Sequence, residues 1–144
     1  MNTLLSILAL IIIFVAVYSS VNRKFKFGPL QRAWIDYLRA HPEEQYKGSL
    51  GKKIQGVERC CCLGRGGIIA GVCKWAENTL QTMDGSTGLL EFKSYKALGL
   101  RGKAGEPKNK HFSALSHLND SGKTWLEIAD ILEKFPKQYF IHSV

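Results

Sequence analysis

The chain has 144 residues, and 20 Lys and Arg against 12 Asp and Glu give it a formal net charge of +8. That length excludes two independent cores, because one modest core uses up what so short a chain can bury. Every charged side chain lies beyond Val21, so the positive excess belongs to residues 22–144 and points to an acidic partner: an acidic protein, anionic lipid or nucleic acid. Set against this, net charge of such size also serves solubility alone.

The apolar tract Leu4 to Tyr18 is broken only by Ser6. A helix rising about 1.5 Å per residue over some nineteen residues reaches roughly 28 Å, the scale of a bilayer's hydrocarbon layer. Residues 1–21 therefore predict a transmembrane anchor, and Arg23, Lys24 and Lys26 in the basic stretch 22–27 place the following domain on the cytoplasmic side. A cleaved signal peptide competes, since Val17 and Ser19 are small, but no Lys or Arg precedes the apolar run. A buried core helix is the third alternative, and Ile11 to Val15 lack the polar spacing it needs. In a cytoplasmic setting Cys60, Cys61, Cys62 and Cys73 are thiols, and three consecutive cysteines are poorly placed to bridge one another.

Residues 28–144 read as one α-rich domain, all-α or α+β with at most a short strand pair. Pro29 suits the first position of a helix in which Leu30, Trp34, Tyr37 and Leu38 recur at helical spacing before His41-Pro42, with Trp34 and Tyr37 as core. Residues 43–58 form a polar loop, with a short strand at Ile54 to Val57. Cys60 to Trp75 predicts a helix with Cys62, Leu63, Ile69, Ala70 and Cys73 on one face, its glycines bought by close approach of another element. Thr79 to Thr87 is turn-like around Asp84-Gly85, and Leu89 to Leu98 is a short helix stopped by Gly99. The basic loop Arg101 to Lys110 follows, then a short apolar-patterned piece from His111 to Leu118. Thr124-Trp125-Leu126-Glu127 is a capping box that opens a helix ending before Pro136.

Cys-Cys-Leu-Gly at 61–64, Tyr-Lys-Ala-Leu-Gly-Leu at 95–100, Asn119-Asp120 with Gly122, and Glu127-Ile128-Ala129-Asp130-Ile131 follow one another in fixed order. Over roughly residues 28–135 this order resembles a small domain family common in phage and prophage genomes. The resemblance implies a viral or mobile-element origin, and since the family has no established activity it offers no catalytic residues to carry over. The chain departs from the pattern in its N-terminal apolar segment and at Arg65-Gly66-Gly67, where larger apolar residues are usual.

Thiol chemistry is the first candidate. Cys61 or Cys62 at a helix N-terminus would be acidified by the helix dipole, with His117 as base and Asp120 or Asn119 as its orienter. The bland alternative is that these cysteines fill small gaps in a core. The cysteine and histidine spacings lack paired zinc knuckles, so no metal and no cofactor are expected. Gly64-Arg65-Gly66-Gly67 lacks the Lys-Ser/Thr ending of a phosphate loop, and Asn119 to Gly122 lacks the alternating acids of a calcium loop. Arg101, Lys103, Lys108 and Lys110 form the densest positive run beyond the juxtamembrane stretch, and they are the candidate partner-binding residues. The leading expectation is a single-pass accessory protein that binds a host or phage component without catalysis. A cysteine-dependent enzyme at the membrane surface and a lysis-related membrane protein are the alternatives.

Overall fold

The computed structural model describes Ile12, Ile13 and residues 24–144. In chain order its elements are α1 (Pro29–Ala40), a 3-10 turn (Pro42–Glu44), β1 (Gly51–Ile54), β2 (Val57–Cys60), α2 (Cys62–Ile69), β3 (Cys73–Ala76), β4 (Thr79–Thr82), α3 (Phe92–Ala97), α4 (Leu115–Asp120), α5 (Trp125–Lys134) and α6 (Pro136–Tyr139).

The strands form one four-stranded antiparallel sheet in the order β2-β1-β4-β3. It consists of two hairpins joined where Lys52 faces Thr79. Gln55 and Gly56 both take positive φ, 52° and 79°, which lets a two-residue turn follow the right-handed twist of its strands. Alternate residues face opposite sides. Gly51, Cys60, Cys73, Leu80 and Thr82 are buried on the side that meets α2, and Lys52, Arg59 and Lys74 are exposed on the other. Two glycines let α2 approach so closely. A methyl group on Gly64 would overlap the Leu50 carbonyl, and one on Gly67 would overlap the Cys73 sulfur.

On the far side of α2 lies the helical half of the core. Trp34, Ile35 and Leu38 of α1 and Trp125, Ile128, Ala129 and Leu132 of α5 are fully buried, as the 3.6-residue period of each sequence requires. The Trp34 indole donates to the Cys62 carbonyl at 2.9 Å, so the tryptophan satisfies its one polar atom inside the core. Thr124 opens α5 with a capping box: its hydroxyl accepts the Glu127 N–H at 3.2 Å, and the Glu127 carboxylate accepts the Thr124 N–H at 2.9 Å. Along the rim of the α1–α5 contact, Arg39 reaches Asp130 at 2.8 Å and Glu133 at 2.6 Å. Buried Gln31 ties the C-terminal residues to α1. Its amide donates to the His142 carbonyl at 2.8 Å, and its oxygen accepts the Gly28 N–H at 3.1 Å.

Several expectations are corrected. The domain is α+β, not α-rich with at most a strand pair, because the half of the sequence read as loop and cysteine helix folds into four paired strands. The cysteine helix ends at Ile69. Gly71 at φ +71° turns the chain, and Cys73 to Ala76 pair with Thr79 to Thr82, the stretch expected to be turn-like. Ile54 and Val57 are the last residue of β1 and the first of β2, facing each other across the hairpin rather than sharing one strand. The single-pass membrane placement, with a cytoplasmic domain, is also corrected. No helix among the described residues is long and apolar enough to cross a membrane. The longest of them, α1, has 12 residues and rises about 18 Å against a hydrocarbon layer of about 30 Å. The lysis-related alternative, which leaned on a span, loses that support. The expected anchor at 1–21, apart from Ile12 and Ile13, and the flanking Arg23 fall outside the described residues.

Candidate functional site

The sequence-predicted thiols sit where β2 turns into α2. Cys61 is the N-cap residue, and its sulfur accepts the Gly64 N–H at 3.3 Å. The next donor of the helix, Cys62 N–H, goes to the Asn119 side-chain oxygen at 3.2 Å. That oxygen also accepts from the Gln45 amide at 3.1 Å and the Trp125 indole at 3.3 Å, while the Asn119 amide donates to the Tyr46 carbonyl at 2.7 Å. Asn119 is fully buried and so joins α2, α4, α5 and the loop before β1 at one point. Its neighbour Asp120 accepts the Gly48 N–H at 3.0 Å. Beside this junction is a recess of about 260 Å³, lined by residues that include Ser49, Cys61, Leu63, Ser116 and Asp120.

The fold thus brings Cys61 and Asp120 to one recess and joins Cys62 to Asn119, but it leaves His117 exposed and outside the recess lining. The thiols are not activated. Burial pushes Cys61 up to about 12, outweighing the backbone N–H groups of Gly64 and Leu63 that favour its thiolate. Burial likewise raises Cys60 to about 11 and Cys73 to about 12, and it raises Cys62. A nucleophilic cysteine needs the opposite shift. The geometry describes protonated thiols, of which Cys61 caps a helix and Cys73 fills the gap left by Gly67.

The basic segment divides in two. The Arg101 guanidinium donates to the carbonyls of Gln138, Lys137 and Phe140 at 3.1, 3.2 and 3.3 Å, so it holds the end of α6. The Lys108 N–H donates to the Gln138 carbonyl at 2.6 Å, and the Asn109 N–H to the Gln138 side-chain oxygen at 3.1 Å. These bonds pin the backbone at Lys108 and Asn109, the Lys103 carbonyl accepts the Leu90 N–H, and Lys103, Lys108 and Lys110 remain exposed, with no ion pair among the described residues. Lys108, Asn109, Lys110 and Gln138 line an open depression. Glu106, the loop's acid, turns its carboxylate back onto the Ala104 N–H at 3.1 Å.

No family model, characterised protein or solved structure matches this chain.

A further cluster escaped the sequence reading. Arg65, on the buried side of α2, reaches Glu44 at 2.7 Å and lies 4.6 Å over the Tyr37 ring, and the Tyr37 hydroxyl donates to the same carboxylate at 2.9 Å. Burial, then the bond to Glu44, raises the Tyr37 pKa. A charged residue inside a glycine run carries no local signal of burial, since its partner lies on a separate 3-10 turn. Arg65-Gly66-Gly67 is thereby explained: Gly66 admits the Trp34 ring against its backbone, and Arg65 carries the ion pair. Nearby, His41, Glu43 and Glu44 hold their ligand atoms within 4.8 Å of one another, the one such group among the described residues. The guanidinium already bonded to Glu44 opposes a cation there.

Proposed function

We propose that this domain is a binding module without catalytic chemistry, and that it engages an acidic partner through Lys103, Lys108 and Lys110. The observation that supports the reading is the pairing pattern of its charges. Carboxylates on Asp36, Glu43, Glu44, Glu58, Glu127, Asp130 and Glu133 face Arg, Lys or His within the molecule, whereas these lysines stay exposed, Lys108 and Lys110 on a backbone fixed to α6 and Lys103 on one held by the Leu90 N–H. Pinning the backbone lowers the ordering cost of binding, so the point charges act from a preformed surface. Arg101 contributes by position, through its bonds to α6.

The test is a calorimetric titration with a polyglutamate peptide across a salt series. The wild-type protein should bind more weakly as salt rises, because screening acts over about 8 Å at physiological ionic strength. The triple variant Lys103→Ser, Lys108→Ser, Lys110→Ser should bind several-fold more weakly while melting as the wild type does, since exposed charges add little to folding. Equal affinity of the two proteins, or binding indifferent to salt, refutes the reading.

A further inference from the structure

The sheet has two unlike faces. The face toward α2 is apolar and buried at Gly51, Cys60, Cys73 and Leu80, and it continues outward to Trp75, where the Lys53 ammonium lies 5.1 Å from the ring centre. The alternation of the strands puts Lys52, Arg59, Lys74, Thr79 and Gln81 on the opposite face. Its three cations are exposed. Lys52 and Arg59 stand directly opposite each other on β1 and β2, an arrangement of like charges that weakens strand pairing. Among the described residues, no carboxylate forms an ion pair with them. Glu58, the single acid within the strands, points to the other side and pairs with Lys53 at 3.4 Å. Arg59 makes one bond, to the Glu43 carbonyl at 3.3 Å. The next cross-strand pair on the same face is Ile54 with Val57, 41% and 54% exposed. A cationic row therefore runs beside an apolar row.

We propose that this open sheet face binds single-stranded nucleic acid, with Arg59, Lys52 and Lys74 receiving phosphates and Ile54 and Val57 lying against unstacked bases. A single strand offers charge along one edge and apolar base faces along the other, so it matches both rows. A duplex shields its base faces, and a carboxylate patch on a protein answers the cations alone. The two hairpins join where Lys52 faces Thr79, and the four strands span roughly 14 Å across, enough for two or three nucleotides. The face carries no aromatic ring, so base stacking adds nothing and binding is weak, tolerant of sequence and sensitive to salt. This surface is separate from the Lys103 to Lys110 segment, and the inference stands on the sheet alone.

Fluorescence anisotropy with a labelled oligothymidylate, and with a duplex of equal length, tests it at about 50 mM salt, where such contacts are strong. The wild type should prefer the single strand, with a slope of log affinity on log salt of about −2 for three phosphate contacts. Replacing Lys52, Arg59 and Lys74 with Ser should cost at least about tenfold and flatten that slope. Ile54→Ser with Val57→Ser should weaken binding with the slope unchanged, and the triple-Ser variant of the loop should lose less affinity than the sheet variant does. Amide NMR shifts of the wild-type protein give a reading independent of any variant's folding, and they should concentrate on the outward residues of β1 to β4. Wild-type protein that does not bind, a preference for duplex, undiminished binding by the sheet variant, or shifts confined elsewhere overturns the proposal. Oligonucleotide binding lost only in the loop variant overturns it while leaving the loop reading in place. Oligonucleotide binding through the sheet without any polyglutamate binding does the reverse.

Discussion

Asn119→Ala removes the residue on which three segments converge, and its cost can be worked from the bonds it makes. The Asn119 side-chain oxygen satisfies the Cys62 N–H and the Trp125 indole N–H, both in the fully buried core. Alanine leaves each donor without a partner, at about 1–3 kcal/mol apiece. The Tyr46 carbonyl loses its donor as well, but the Gln45 amide keeps its bond to the Lys123 carbonyl at 2.7 Å, so that group is spared. The expected loss is therefore about 2–6 kcal/mol, a large share of the stability of a small domain. Urea unfolding followed by far-UV circular dichroism measures it. Asn119→Asp is the informative companion: it keeps an acceptor for both N–H groups but loses the donor to Tyr46, and it should fall between alanine and wild type near neutral pH. A loss below about 0.5 kcal/mol for Asn119→Ala, within the range of surface substitutions, would refute the view that this residue organises the junction.

Gly67→Ala should destabilise by about 1–3 kcal/mol through overlap with the Cys73 sulfur, and adding Cys73→Ala should recover part of that loss, so additive effects in the double variant would count against the contact. All four thiols should react slowly with a disulfide reagent at neutral pH in the folded protein and rapidly in denaturant, because burial raises each of them. One fast thiol in the native state would restore the nucleophile reading. The Glu133 carboxyl is held at about 2, below its ordinary 4.5, first by Arg39 and then by Arg32. A depressed carboxyl stabilises the fold fully above pH 4.5 and loses that contribution as pH falls toward 2. With its side chain 34% exposed, screening limits the effect to about 1 kcal/mol or less. Glu133→Gln should thus be less stable than wild type at pH 7 and indistinguishable from it near pH 2, as measured by urea midpoints across pH.

Local patterns carried the helices into legibility. The spacing of Leu30, Trp34, Tyr37 and Leu38 after Pro29, and the Thr124 to Glu127 capping box, involve residues within a few positions of one another, and they appear as α1 and α5. Gly99 ends the region of α3 at φ +69°, as a glycine stop should. The surplus of positive charge is likewise a property of the sequence. The sheet is not legible in the sequence, because each strand has four residues, too few to separate a period of two from one of 3.6. Pairing of β1 with β4 joins residues far apart in sequence, which no local pattern encodes. The same distinction separates the candidate residues. Cys61, Cys62 and Asp120 were visible as residue types, but their roles depend on neighbours that only folding supplies: Asn119 for the Cys62 N–H, Gly48 for Asp120, and an apolar surround that keeps the thiols protonated. Arg101 looks like its neighbouring lysines in sequence, and only the arrival of the α6 carbonyls turns it from a surface charge into a brace. Composition and short-range spacing determine which segments coil and how much charge the chain carries. Burial and long-range hydrogen bonding decide which of its charged and nucleophilic groups are free to meet a partner.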